Sequence, residues 1–297
     1  MSGTRRITGR LALGSITLMI AGLIPSPLKA GDEPYFVTYD DQLEEQGNLE
    51  ISLNPMLGLP GKKGPVFMGS WVEFEYGAKG WWTTEFYLDG QSTRGDSTIF
   101  TGFRWENRFR PLAGQHWINP VIYVEYESLN GADKILKEIV NHDGVEDLAA
   151  SNAEGRSEHK HEVEGKLILS SNYRGWNISE NLIGEKNLAN EPWEFGYAVG
   201  VGRPLALAAS PRLCTFCREN WRAGVEVYGG LGTWHEFGFA GTAHYVAPVL
   251  AWDLPTGATL RFSPGFGLNK NSARALIRFG ISYEIPRFDR RIRKWLR

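Results

Sequence analysis

Cysteine is scarce, at 2 in 297 residues, so no disulfide scaffold holds this chain together. Long apolar runs are scarce too. After the first thirty positions nothing approaches the roughly 18 uninterrupted apolar residues that a membrane-crossing helix needs. Basic charge is short as well. Without residues 1–30 the chain loses Arg5, Arg6, Arg10 and Lys29 but no acid, which leaves 28 basic against 34 acidic side chains, a net charge of −6. A chain this acidic lacks the basic face that a nucleic-acid partner requires. There is no Walker loop. Gly196, Gly200 and Gly202 lie within a strand-like stretch, not at a strand-to-helix turn, so nucleotide binding has no support and no cofactor is called for. If the chain enters a membrane, a closed barrel is the only form left, because every backbone polar group must be satisfied within the protein.

What the chain does have is glycine, at 35 residues, aromatics at 12% and strict alternation. Ala273, Ala275, Ile277, Phe279, Ile281, Tyr283 and Ile285 are apolar, with Arg274, Arg278, Ser282 and Glu284 between them. A strand sends successive side chains to opposite faces, so one face here is apolar and the other charged. About twelve such segments follow one another, starting near Asn48 and separated by turn residues. Val66, Met68, Val72, Phe74 and Tyr76 oppose Glu73 and Glu75. Trp82, Phe86 and Leu88 oppose Thr83 and Glu85. Ile99, Phe103, Trp105 and Phe109 oppose Arg104, Glu106 and Arg108. Ile118, Ile122, Val124 and Tyr126 oppose Asn119, Glu125 and Glu127. In a sixth segment His161, Val163, Leu167 and Leu169 oppose Lys160, Glu162, Glu164 and Lys166.

Two patterns favour a membrane barrel over a soluble sandwich. Connectors alternate, short after segments two, four, six and ten and mostly longer after three, five, seven and nine, as in barrels with short periplasmic turns and long outer loops; the connector after segment eight breaks the rhythm. Trp71, Trp81, Trp82, Trp117, Trp176, Trp193, Trp221 and Trp252 fall at or near segment ends, where interfacial girdles sit. The expected architecture is therefore all-β: a closed antiparallel up-and-down transmembrane β-barrel of about 12 strands over residues 48–285. A lipocalin-like barrel would close with eight strands, fewer than the segments present.

The ends read differently. Arg5, Arg6 and Arg10, the apolar run Leu11–Ile24, and Pro25, Pro27 and Ala30 make residues 1–30 an expected signal peptide. Residues 31–47 are acidic and read as a periplasmic N-terminal lead with little structure of its own. Residues 132–140 have helical spacing within the long break at 128–157. Residues 286–297 form a basic periplasmic tail, read as structureless or as lying on anionic headgroups.

The last segment resembles the assembly signal of Gram-negative outer-membrane β-barrel proteins, carried by Arg278, Gly280, Tyr283 and Ile285. The resemblance implies an outer-membrane location, contact with outer-membrane lipid and with the barrel-assembly machinery, and a porin- or transporter-like role. In that family the signal usually ends the chain on Phe, whereas Pro286–Arg297 follow here.

The expected lumen carries Glu73, Glu75, Glu85, Arg104, Glu106, Arg108, Glu125, Glu127, Arg274 and Arg278. These charges could line a narrow channel for small polar or charged solutes, or pair into a core that plugs the barrel, leaving the outer loops to act. Cys214 and Cys217 could be a redox pair, half a zinc site or a small disulfide; the exported setting favours the disulfide. His159 and His161 share a face and with nearby acids could hold a metal, but polar residues near a strand end explain them as well, so no metal site is assigned. No histidine sits beside a Ser-Asn-Gly element like that of the outer-membrane phospholipase, so no catalytic residue is assigned and an enzyme is the least favoured class.

Overall fold

The computed structural model describes residues 34–135, 150–189, 191–208, 210 and 214–295; the expected signal peptide lies outside them. Twelve strands follow in order: β1 (Leu49–Leu59), β2 (Phe67–Lys79), β3 (Trp82–Thr93), β4 (Thr98–Phe109), β5 (Asn119–Asn130), β6 (His159–Tyr173), β7 (Trp176–Asn187), β8 (Trp193–Pro204), β9 (Trp221–Thr233), β10 (His244–Asp253), β11 (Ala258–Gly267) and β12 (Ala275–Ile285). Each pairs antiparallel with its neighbours in sequence, and β12 pairs with β1 to close the barrel. Closure leaves no edge strand, which is what permits a sheet to stand in lipid.

The alternation sorts the two faces. Outward residues such as Phe86, Trp105, Ile122, Leu182, Phe279 and Ile281 are exposed, while their sequence neighbours Glu85, Arg104, Glu106, Tyr123, Ile183 and Arg278 are buried. Large apolar side chains exposed on strand after strand amount to a belt of a kind soluble monomers rarely carry. Aromatic pairs stud the end of the barrel that carries both termini, including Trp82 on Phe109, Trp117 on Tyr173 and Trp221 on Trp252. Trp71 is different. It turns inward, near Arg104, and lines the lumen instead of a girdle.

In outer-membrane barrels of even strand number the end with both termini is the periplasmic one. Its turns are mostly tight. Arg174 and Gly175, with φ 51° and 79°, close β6 onto β7 as a two-residue turn of the kind that matches strand twist. The exceptions are the nine-residue connector 110–118 and the 205–220 connector, which holds the Cys214–Cys217 disulfide. Beside it, hydrogen bonding from Ser210 holds the exposed Glu219 carboxyl below the usual range. At the other end lie the connectors 60–66, 94–97, 131–158, 188–192, 234–243 and 268–274.

Two expectations about the ends change. The lead does not hang in the periplasm: Tyr35, Val37, Thr38, Asp40, Asp41 and Glu44 are buried within the barrel. The basic tail is not structureless, since Phe288–Trp295 is a helix, and the Asp289 N–H bonds the Gly47 carbonyl at 3.1 Å. The helix expected over 132–140 falls mostly outside the described residues; 131–135 form a turn and a short irregular stretch, and a four-residue helix stands at Asn152–Gly155.

Candidate functional site: an acidic lumen holding its own N-terminal segment

A hydrogen-bonded row in a sheet puts directly paired residues on one face, so pairing decides which charges meet. Here one row is glutamate on nine consecutive strands. Glu284 on β12 faces Glu50 on β1, which faces Glu75, and the row continues through Glu85, Glu106, Glu125, Glu164 and Glu185 to Glu194 on β8. Strands tilt in a barrel, so a row perpendicular to them climbs as it goes round. Glu284 stands one residue from the periplasmic end of β12 and Glu194 one residue from the outer end of β8. The glutamates thus form a ramp from one rim to the other.

Like charges directly opposite are destabilising unless something intervenes. Cations intervene along the middle of the ramp. Arg108 pairs with Glu75 at 2.6 Å, with Glu106 at 3.1 Å and also with Glu85. Arg104 holds Asp89 through Nε and Nη2, both at 3.1 Å, and Glu125 at 3.4 Å. Lys166 pairs with Glu164 at 2.7 Å. Its ammonium also lies 4.0 Å over the Tyr123 ring. Buried charges tied this way hold geometry more than they add net stability.

The lead occupies the rest of the lumen as a segment without regular secondary structure. Its backbone must find partners, and the wall supplies them. The buried Glu226 carboxylate on β9 accepts three consecutive N–H groups: Phe36 at 3.0 Å, Val37 at 2.8 Å and Thr38 at 2.7 Å. Asn181 on β7 pairs reciprocally with the Tyr39 backbone at 2.7 and 2.8 Å. Arg261 donates to the Tyr35 carbonyl at 3.1 Å, Thr83 accepts the Glu44 N–H at 3.0 Å, and the Tyr39 hydroxyl reaches Glu106 at 3.0 Å. The wall makes room with glycine. A Cβ on Gly200 would stand 2.8 Å from the Tyr35 ring, and one on Gly77 would stand 2.1 Å from the Glu45 carbonyl oxygen.

The long outer connector also turns inward. Ile135 packs over Gly69 in one apolar cluster with Val37, Met56, Phe67 and Leu276. The Lys134 N–H bonds Gln91 at 3.0 Å, and the Asn152 amide oxygen accepts from Gln91 and Thr93 at 3.0 Å each. Between the lead and this loop lies a cavity of about 150 Å³, lined among others by Glu73, Glu85, Glu125, Arg104, Arg261 and Lys166. A smaller one of about 50 Å³, lined by Glu162, Glu185 and Glu194, opens toward the outer end. Glu185 belongs to both, so the ramp runs through the two cavities.

Of the residues singled out in the sequence, Glu73, Glu75, Glu85, Arg104, Arg108, Glu125 and Arg278 line the larger cavity, and Glu106 and Glu127 are buried on the same inner wall. Arg278 donates to the Tyr228 hydroxyl, while Tyr283, of the same C-terminal pattern, faces outward. Arg274 does not join them. It is exposed on the outer connector, because the alternation begins afresh at Ala275: Ala273 turns inward and gives its N–H to the Tyr245 hydroxyl at 2.8 Å. His161 points outward and stacks on Tyr126, with Nδ1 2.9 Å from its hydroxyl. Glu226, Asp89, Arg261 and the lead were missed. The available signal was the aromatic and apolar set Tyr35, Phe36, Val37 and Tyr39 in a lead otherwise rich in acid.

No family model and no curated protein matches the chain. Solved structures do. An outer membrane channel from Pseudomonas putida F1 superposes with a TM-score of 0.51 at 7% identity, over 82% of this chain and 97% of that one. The KdgM porin gives 0.45 at 8% identity, over 79% and 98%. LpxR from Salmonella typhimurium gives 0.38 at 10% identity, over 80% and 99%. At such identities the likeness is one of fold, and it agrees with the closed sheet and the apolar outer belt: this chain is a closed twelve-stranded β-barrel.

Proposed function

We propose that this barrel is a passive channel for small polar or charged solutes, with a preference for cations, and that the described conformation is its closed form. The observation that carries the reading is the rim-to-rim ramp of glutamates through both cavities. Inner-wall carboxylates outnumber the inner-wall cations Arg104, Arg108, Lys160, Lys166, Arg222, Arg261 and Arg278, and a low-dielectric lumen magnifies that imbalance. Polyanions would be repelled. The element in the way is a non-covalently held segment rather than the wall's own side chains, so withdrawal of 34–46 would join the cavities to the periplasm. The C-terminal Arg278–Ile285 pattern adds the barrel-assembly machinery as the folding partner in this proposal.

The test is deletion of residues 34–46. The folded variant in planar bilayers should conduct in larger steps than the parent, with a reversal potential displaced toward cations, and should admit larger solutes in liposome swelling. A folded deletion variant that conducts no better than bare lipid would instead leave a plugged structural barrel acting through its outer loops, a reading favoured by the number of lead-to-wall bonds.

A further inference from the structure

We infer that Glu125, Glu127 and Glu164 form a binding site for one divalent cation of the calcium type in the inner wall. One carboxylate oxygen from each lies within 4.8 Å of the other two. Oxygens sharing a calcium ion at about 2.4 Å stand at most about 4.8 Å apart, so three carboxylate oxygens this close can share one ion.

Proximity of acids alone would not make a site. The independent observation is Glu127. Its side chain is 1% exposed, its Oε2 has no hydrogen-bond partner, and it forms no ion pair among the described residues. Both strand neighbours in its row are otherwise engaged. Arg104, directly opposite on β4, spends its guanidinium on Asp89 and Glu125. Glu162, opposite on β6, accepts from Asn187 at 3.1 Å. A buried carboxylate left in this state is strongly disfavoured unless a proton or a cation compensates it. The other two members already carry partial compensation, Glu125 from Arg104 and the Tyr123 hydroxyl, Glu164 from Lys166. Three carboxylates against two shared cations leave a net negative pocket made only of hard oxygen ligands, which suits calcium and excludes soft metals. Glu125 and Glu164 open onto the larger cavity, which gives the ion room for water ligands.

The site needs the fold but not conduction. The experiment is calorimetric titration of the full mature barrel in detergent, stripped with EDTA, using calcium chloride, with thermal unfolding in parallel. The parent should bind one ion per barrel and gain in Tm. Glu127→Gln should bind at least tenfold more weakly, while its Tm in EDTA should equal or exceed the parent's. Glu236→Gln, on an exposed outer connector, should bind as the parent does. No heat and no Tm gain in the parent, equal affinity in Glu127→Gln, or equal weakening in Glu236→Gln would each overturn the site. If Glu127→Gln does not fold, terbium luminescence excited through Tyr123 in the parent decides: a signal displaced by calcium supports the site and no signal overturns it. A barrel that binds calcium yet passes no current would keep the site and defeat the channel.

Discussion

Glu226 is the sharpest handle on closure. Its buried carboxylate receives the N–H groups of Phe36, Val37 and Thr38 at 2.7–3.0 Å. Glu226→Gln keeps the shape, removes the charge and replaces one acceptor oxygen by an amide that cannot accept. Hydrogen bonds to a charged group contribute about 1.5–3 kcal/mol each, and neutral ones about 0.5–1.5. Converting three of the former into at most two of the latter weakens the lead's hold by about 3.5–6 kcal/mol before solvation is counted. An amide also sheds water more cheaply than a carboxylate, which offsets part of that loss. At about 1.4 kcal/mol per decade, the population with the lead withdrawn should rise by roughly 10- to 100-fold. The assay is labelling of Val37→Cys by a membrane-impermeant maleimide, with Cys214 and Cys217 both replaced by serine. Val37 is 5% exposed, so labelling reports opening. Added Glu226→Gln should speed labelling by that factor and raise the frequency of conducting events. Unchanged labelling in a barrel that keeps its strand signal in circular dichroism would refute the latch.

Other outcomes follow from the same geometry. Replacing Arg104 and Arg108 with glutamine strips the cations from Asp89, Glu75, Glu85, Glu106 and Glu125, so Tm should fall as for loss of about 3–5 kcal/mol per broken buried pair, and the surviving folded fraction should become more cation-selective in reversal-potential measurements. The Cys214–Cys217 bridge closes a very short loop, so its reduction should cost no more than about 2 kcal/mol and leave conductance alone; alkylation followed by mass spectrometry should find two free thiols only after reductant. Outward Glu180 lies between Ile178 and Leu182 on the lipid face, and Glu180→Leu should raise stability in a bilayer by about 1 kcal/mol, read by denaturant titration in vesicles. Tyr283→Ala should lower the yield of folded barrel in cells by more than it lowers stability after refolding in detergent, if the C-terminal pattern is read during assembly.

Much of the architecture was legible because a strand's period is two. Phe86 beside Glu85, Trp105 beside Arg104 and Glu106, and Ile281 beside Ser282 assign faces with no knowledge of partners, and twelve such segments with no apolar helix imply closure. Arg274 marks where the rule ends: the alternation extrapolates one turn too far, and a single backbone contact from Ala273 to Tyr245 resets it. Trp71 fails likewise, since a tryptophan near a segment end reads as a girdle residue whichever face it takes.

What the chain's order of residues decided alone was the barrel, its approximate strand count and which side of each strand is greasy, since those depend on contacts one and two residues apart. Strand-to-strand register and the path of the lead depend on partners far away in sequence. Glu125 meets Glu164 across 39 positions of sequence, and Val37 meets Glu226 across 189. Those long-range pairings turn scattered acids into a ramp and an acidic leader into a plug, and only the closed tertiary structure contains them.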